Sequence, residues 1–130
     1  MASNAFSIVT EYRREQLCKI TSGAITTPPV VTHVALGSGG LNEDGSVKMP
    51  DAKQTALNNE LARYKVDAPE YPAPTTARYK ITIPEADLVE AVITEAALVD
   101  AEGNLCAIRN MLPKGKDDGV TFTFDFDDEF

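Results

Sequence analysis

Apolar and polar positions alternate with period two along much of the chain. The longest such stretch, residues 88–111 (LVEAVITEAALVDAEGNLCAIRNM), organises the rest. Its first half sets Val92, Thr94, Ala96 and Leu98 against Ala91, Ile93, Glu95, Ala97 and Val99, with one polar break on each face. Successive side chains of a strand point to opposite faces, so this strand is expected to be half-buried on one side and nearly buried on the other. The turn at 100–104 has Gly103 where a positive φ is needed, and Asp100 and Asn104 to bond the backbone locally. The return strand, 105–111, is apolar apart from Arg109 and Asn110. As the most hydrophobic hairpin of the chain, it is expected in the middle of a sheet.

The same alternation predicts further strands. Residues 30–36 set Val30, Thr32, Val34 and Leu36 against Val31, His33 and Ala35; residues 75–83 set Ala77, Tyr79, Ile81 and Ile83 against Thr76, Arg78, Lys80 and Thr82; residues 120–126 set Val120, Phe122, Phe124 and Phe126 against Thr121, Thr123 and Asp125. A strand with one wet face suits an antiparallel sheet. The near-helical spacing of Phe6, Val9, Arg13, Leu17 and Ile20 predicts a helix over 3–22, capped at Ser3 and Asn4 and stopped at Gly23. A second, short helix is expected over 55–63, passing into a strand at 63–66. Residues 41–53 read as a polar surface loop, 69–74 with three prolines as a rigid connector, and 113–119 as a second hairpin loop. There is no internal repeat, heptad run or linker. The fold class expected is α+β, a single domain over 1–130. Its N-terminal helix spans 1–23, and a mainly antiparallel β-sheet or sandwich occupies 24–130.

Composition narrows the chemistry. With 130 residues and 43% hydrophobic content the chain can bury a core. No apolar run approaches the ~20 residues of a membrane span, and the N-terminus lacks the basic start and apolar block of a secretory signal. The net charge of −8 argues against nucleic acid and anionic membranes as partners. Cys18 and Cys106 stand in apolar-periodic settings and are expected to be buried free thiols, made in a reducing cytoplasm, with a disulfide between them as the alternative. The single histidine, His33, has no Cys/His cluster to join and reads as a strand-surface residue. The glycine-rich run 37–40 matches neither phosphate-loop spacing. The acids at 42–44 lack the spacing of a calcium loop. No residue is singled out as catalytic, cofactor-binding or metal-ligating, so an enzyme is not expected.

Three segments resemble the N-terminal domains of phage tail-collar and tail-fibre proteins. In residues 93–107, Ile93, Glu95, Leu98, Asp100, Gly103, Leu105 and Ala107 fit a motif I-x-E-x-G-L-x-D-x-x-G-x-L-x-A, with Ala97 where the family has Gly. Upstream, Thr32, Ala35, Gly37 and Gly39 resemble I-T-x-x-A-x-G-x-G, and Gln54, Thr55, Leu57, Asn59, Glu60 and Arg63 resemble Q-T-x-L-x-N-E-x-x-R. The resemblance implies a structural part of a phage or phage-like tail, contractile tails included, rather than an enzyme. It also implies that Glu60 and Arg63 fix the local fold. Implied partners are other tail and baseplate proteins and a fibre, with a homotrimer as the first expectation, in a virion tail or baseplate assembled in the host cytoplasm. No cofactor is implied.

Family members usually carry a long fibre after this domain, whereas this sequence stops at Phe130. An adaptor between baseplate and fibre, a minor baseplate subunit and a fragment of a longer product all remain open. The helix and the acidic C-terminal strand lie outside the motifs, which makes Phe6, Tyr12, Arg13, Leu17, Phe126 and Phe130 the expected subunit contacts. The alternating acids and phenylalanines of 125–130 read as a solvated end or a docking strand. The runner-up function is a small carbohydrate- or receptor-binding module, for which Tyr64 and Tyr71 are the candidate platform.

Overall fold

The computed structural model describes residues 6–115 and 121–130. It contains β1 (Ser7–Val9), α1 (Glu11–Thr21), β2 (Val31–Gly37), β3 (Glu60–Lys65), β4 (Glu70–Ala73), β5 (Thr76–Ile83), β6 (Val92–Asp100), β7 (Leu105–Gly115) and β8 (Phe122–Glu129). Two antiparallel sheets, of order β1-β7-β6-β2-β3 and β4-β5-β8, make up the fold. With 48% strand against 9% helix, it is a mostly β structure, which overturns the expected α+β class.

The expected helix over 3–22 fails at its start. Ile8, Val9 and Thr10 are three β-branched residues in succession, which favours extended backbone. Ile8 and Val9 fall in β1, with Ile8 opposite Ile108 of β7. Thr10 then caps α1: its backbone is extended, and its hydroxyl oxygen accepts from the Arg13 N–H. The Thr10 hydroxyl also donates to the Leu105 carbonyl at 2.7 Å, so the cap is pinned to β7. Residues 3–5 lie outside the described residues, as do 116–119 of the expected hairpin loop and Val120.

The hairpin at 92–115 sits where its hydrophobicity places it, with β6 central in the five-stranded sheet. Its strand begins at Val92, because Leu88 and Glu90 take positive φ (52° and 60°) in a turn. From Ile93 to Asp100 every residue is buried, so both faces of β6 are covered, where one was expected to be half-open. On one face Leu98 and Ala96 pack with Val34, Leu36, Ile81 and Phe126 between the two sheets. On the other, Ala97 and Val99 pack with Ala35, Leu105, Ile108 and Leu57.

Leu57 does not come from a strand. Residues 41–53 form the expected polar surface loop, exposed over 42–46, and the segment is tied down to the sheet and to α1. The Ala52 carbonyl accepts from the Glu11 N–H, and the Lys48 carbonyl accepts from the Asn110 side chain. The helix expected over 55–63 does not form. Gln54 bonds to the backbone of Asp51 and Ala56, and the N–H groups of Asn58 and Asn59 are taken by Glu95; such local bonds compete with helix. The small Ala35 and Ala97 leave room for backbone to lie against the sheet.

The stretch at 69–74 is also more than a connector. Residues 70–73 form β4, and Pro72 is tolerated there because β4 is an edge strand. β8 runs in unbroken register along β5 from Phe122 opposite Ile83 to Glu129 opposite Thr76. Phe124 and Phe126 face inward, and burying each contributes about 1.5–3 kcal/mol.

Candidate functional site

The structure brings the three motif segments together at Glu95. This side chain is fully buried, and its carboxylate accepts three main-chain N–H groups. Oε2 takes Gly39 at 2.9 Å and Asn59 at 2.7 Å, and Oε1 takes Asn58 at 2.9 Å. One donor comes from the segment after β2 and two from the segment before β3. Hydrogen bonds to a charged acceptor are the strong ones, and burial without them would be costly. The two segments are tied directly as well: the Asn58 side chain donates to the Gly39 carbonyl, and the Asn59 side chain to the Ser38 hydroxyl at 2.6 Å.

The glycines here are required by close approach. A Cβ on Gly37 would fall 2.5 Å from both the Asn59 carbonyl oxygen and a Glu95 carboxylate oxygen. A Cβ on Gly40 would collide with the Thr94 carbonyl. The Gly40 N–H is bonded to the Thr94 hydroxyl at 2.9 Å, which locks the loop one residue further on. Below it, the buried Asn110 presents its side-chain oxygen without a hydrogen-bond partner.

A second group fixes the hairpin tip. Asp100 Oδ1 accepts the N–H groups of Glu102 and Asn104, which closes the turn around Gly103, with φ of +88°. Asp100 Oδ2 accepts the Tyr12 hydroxyl at 2.6 Å, joining the turn to α1. Burial, and then that bond to Asp100, push the Tyr12 phenol up to about 12. Arg63 pairs with Glu60 at 2.7 Å and reaches the Gly103 carbonyl at 3.2 Å, so it links β3 to the same turn. The bond to Glu60 raises the Arg63 guanidinium above its ordinary value.

Of the other motif positions, Leu57 is buried in the outer core, the Thr32 hydroxyl oxygen lies 2.8 Å from His33 Nδ1, and Thr55 is exposed.

The residues expected to meet neighbouring subunits have varied surroundings. Arg13 forms a two-pronged pair with Asp128 (2.7 and 2.6 Å), and both are buried inside the chain. Phe126 is 1% exposed. Neither side chain is available at the surface. Tyr12 is held by Asp100. Phe6 and Leu17 are half-buried. Phe130 is 48% exposed, with the Arg13 guanidinium over its ring at 4.8 Å. The acidic end, expected as a solvated end or a docking strand, is strand as far as Glu129, and Asp128 points inward. The pattern Phe122, Phe124, Phe126, Asp128 carries the inward parity through to the acid, which is the signal that finds it. Thr94 and Asn110 show in the sequence only as polar breaks in apolar strands, and Asn58 is not marked at all; the roles of the three depend on which loop crosses above them.

Cys106 is buried, and burial pushes its thiol up to about 12; Cys18 is exposed, against expectation, and both are free. Of the two tyrosines of the expected sugar platform, Tyr64 packs against the core and bonds Asp87, and Tyr71 on β4 is 71% exposed. A shallow groove of about 210 Å³ runs between α1 and the hairpin tip, past Tyr12, Gln16, Pro29 and Glu102. Among the described residues no group of three His, Cys, Asp or Glu side chains is placed to hold a metal ion. Among them, too, no helix is long and apolar enough to cross a membrane. The arrangement around Glu95 is a clasp. The carboxylate is enclosed and occupied by main-chain donors, which suits it to hold loops against a sheet.

Comparison with curated proteins and with solved structures finds no match. The family described as phage tail-collar fibre protein, N-terminal, matches residues 1–121, which includes α1 and every strand but β8. The chain belongs to that family and is a structural component of a phage tail.

Proposed function

We propose that this protein is an attachment piece of the tail, a baseplate subunit or adaptor on which a fibre is mounted, and that it catalyses no reaction. The observation that carries this reading is the family match over residues 1–121, together with the way the motif residues are used. Glu95, Gly37, Gly39, Leu57, Asp100 and Gly103 hold loops to the sheet, and none of them pairs with a candidate nucleophile or base. A rigid body with its polar motif groups turned to internal bonds is what a mounting requires: fixed shape, with partners met on outer surfaces.

The test is co-sedimentation with purified tail particles, with copies per particle counted by quantitative mass spectrometry. A count that is a multiple of three or six supports the mounting and the expected trimer. Absence from the particles overturns the reading.

A further inference from the structure

β8 is an edge strand whose free side carries one sign of charge. The Phe130 N–H donates to the Thr75 carbonyl, on the β5 side. Main-chain direction alternates along a strand, so the groups of Thr123, Asp125, Asp127 and Glu129 turn away from β5. Among the described residues, β7 reaches that strand through Arg109, which donates to the Asp125 carbonyl at 3.1 Å and lies over the Phe124 and Phe126 rings, and through Lys114, which lies over the Phe124 ring. Unpaired N–H and C=O groups in a row are a template for a further strand.

The side chains of those same four residues form a column on the outer face of the sheet. On its covered side β8 meets β5, which sets Lys80 opposite Asp125 and Arg78 opposite Asp127. Arg78 pairs with Asp127 at 2.8 Å, and that bond holds the Asp127 carboxyl below its ordinary value. β5 thus shows what this column accepts: an extended strand with basic residues at alternate positions. Glu129 faces only Thr76, so acid is left over. Two β8 edges brought together would set acid against acid, which disfavours a second copy of this chain. β8 also lies beyond the residues that the family pattern matches, so it is a part of the fold free to suit a particular neighbour.

We propose that the free edge of β8 docks an extended segment of an adjoining tail protein bearing Lys or Arg at every second residue, added as a fourth strand beside Thr123–Glu129. This rests on the mounting role proposed above. The segment would set its basic residues across from Asp125, Asp127 and Glu129, and Arg109 would yield the Asp125 carbonyl to a main-chain N–H.

The experiment has two arms. In the first, a labelled peptide with the sequence of residues 75–84 is titrated onto the full chain by fluorescence anisotropy, beside a version with Glu in place of both basic residues. Amide exchange is followed at the same time. The basic peptide is expected to bind, more weakly as salt rises, and to protect the amides of Thr123, Asp125 and Asp127. Asp125→Lys, at an exposed side chain, is expected to weaken it about tenfold. Binding that the acidic peptide reproduces, or protection confined to other strands, overturns the proposal. In the second arm, wild-type chain and Asp125→Lys compete for incorporation into tail particles. Thr123→Pro, which removes an outward N–H, joins the competition where it melts like wild type. Depletion of the variants supports edge docking. Equal incorporation overturns it and leaves the mounting role standing. Wild type absent from particles overturns the mounting role, and the peptide arm then decides the edge alone.

Discussion

Arg13 and Asp128 are 115 residues apart in sequence and meet as a two-pronged ion pair with both side chains buried. The pair joins α1 to β8, and so ties the two ends of the described chain across the space between the sheets. Taking two charges out of water is costly, and planar guanidinium–carboxylate geometry offsets that cost only while both partners are present.

Removing one partner should therefore be worse than removing both. Arg13→Met or Asp128→Leu is expected to lower the unfolding free energy by about 3–5 kcal/mol, and the double variant is expected to recover much of it. Urea denaturation of the four proteins measures the coupling. Additive losses would show that the pair is not the unit that matters.

Glu95→Gln is expected to be nearly as damaging as Glu95→Ala, although Gln is isosteric. Both carboxylate oxygens accept N–H groups, and an amide must turn its NH2 toward donors at one of the two positions. Each is expected to cost about 2–4 kcal/mol. Amide exchange at Gly39, Asn58 and Asn59 should rise in both variants well before global unfolding. Protection retained in the Gln variant would count against the clasp.

Two glycines provide a matched contrast. Gly40→Ala puts a methyl group into the Thr94 carbonyl and is expected to destabilise by about 3 kcal/mol. At Gly115 nothing lies within 4 Å of an added Cβ, so Gly115→Ala should change stability by less than about 0.5 kcal/mol. Melting temperatures of the two variants suffice to separate them.

Alkali should unfasten the hairpin tip. The Tyr12 phenol is pushed up from 10.0 to about 12, by burial first and by Asp100 second, and Tyr64 is pushed up to about 12 by burial and Asp87. A pKa raised on folding contributes stability that is whole below pH 10 and is lost as pH rises through about 12. Unfolding midpoints should fall in that window, and less steeply in Tyr12→Phe. Absorbance at the tyrosinate band should show phenols titrating late in the native protein and near 10 once it is unfolded.

The thiols should report the fold directly. Native chain is expected to give one fast-reacting thiol, Cys18, and a second only on unfolding, because Cys106 is buried and raised to about 12. Two fast thiols in the native protein would contradict the packing of β7.

The β-strands at 31–37, 76–83, 92–100 and 105–111 are legible because period-two alternation records local burial, and Gly103 and Asp100 mark a turn by their own chemistry; residues 113–115, expected to open a hairpin loop, instead continue β7. The break at Thr10 was hidden because apolar residues there fit a helical stripe, while the β-branched run that decides the matter is only three residues long. Residues 55–59 open the expected helix, but the N–H groups of Asn58 and Asn59 are claimed by Glu95, 37 and 36 residues further on. The motif letters pointed to Glu95 without revealing what it holds, since its donors are main-chain groups that no residue type announces. The buried place of Asp128 is hard to see because an acid in an acidic tail looks ordinary until the parity of the phenylalanines is carried past Phe126.

That the donors to Glu95 are main-chain groups has a consequence for how such a domain can change over time. A backbone N–H is supplied by every residue type except proline. Positions 58 and 59 can therefore be rewritten without losing the three bonds, and the constraint falls on the acid itself and on the glycines that let the chain come near. A fold secured in this way can drift through most of its alphabet and keep its shape. Its ancestry then survives as a few letters at fixed spacing, while its exterior is remade to suit each new neighbour.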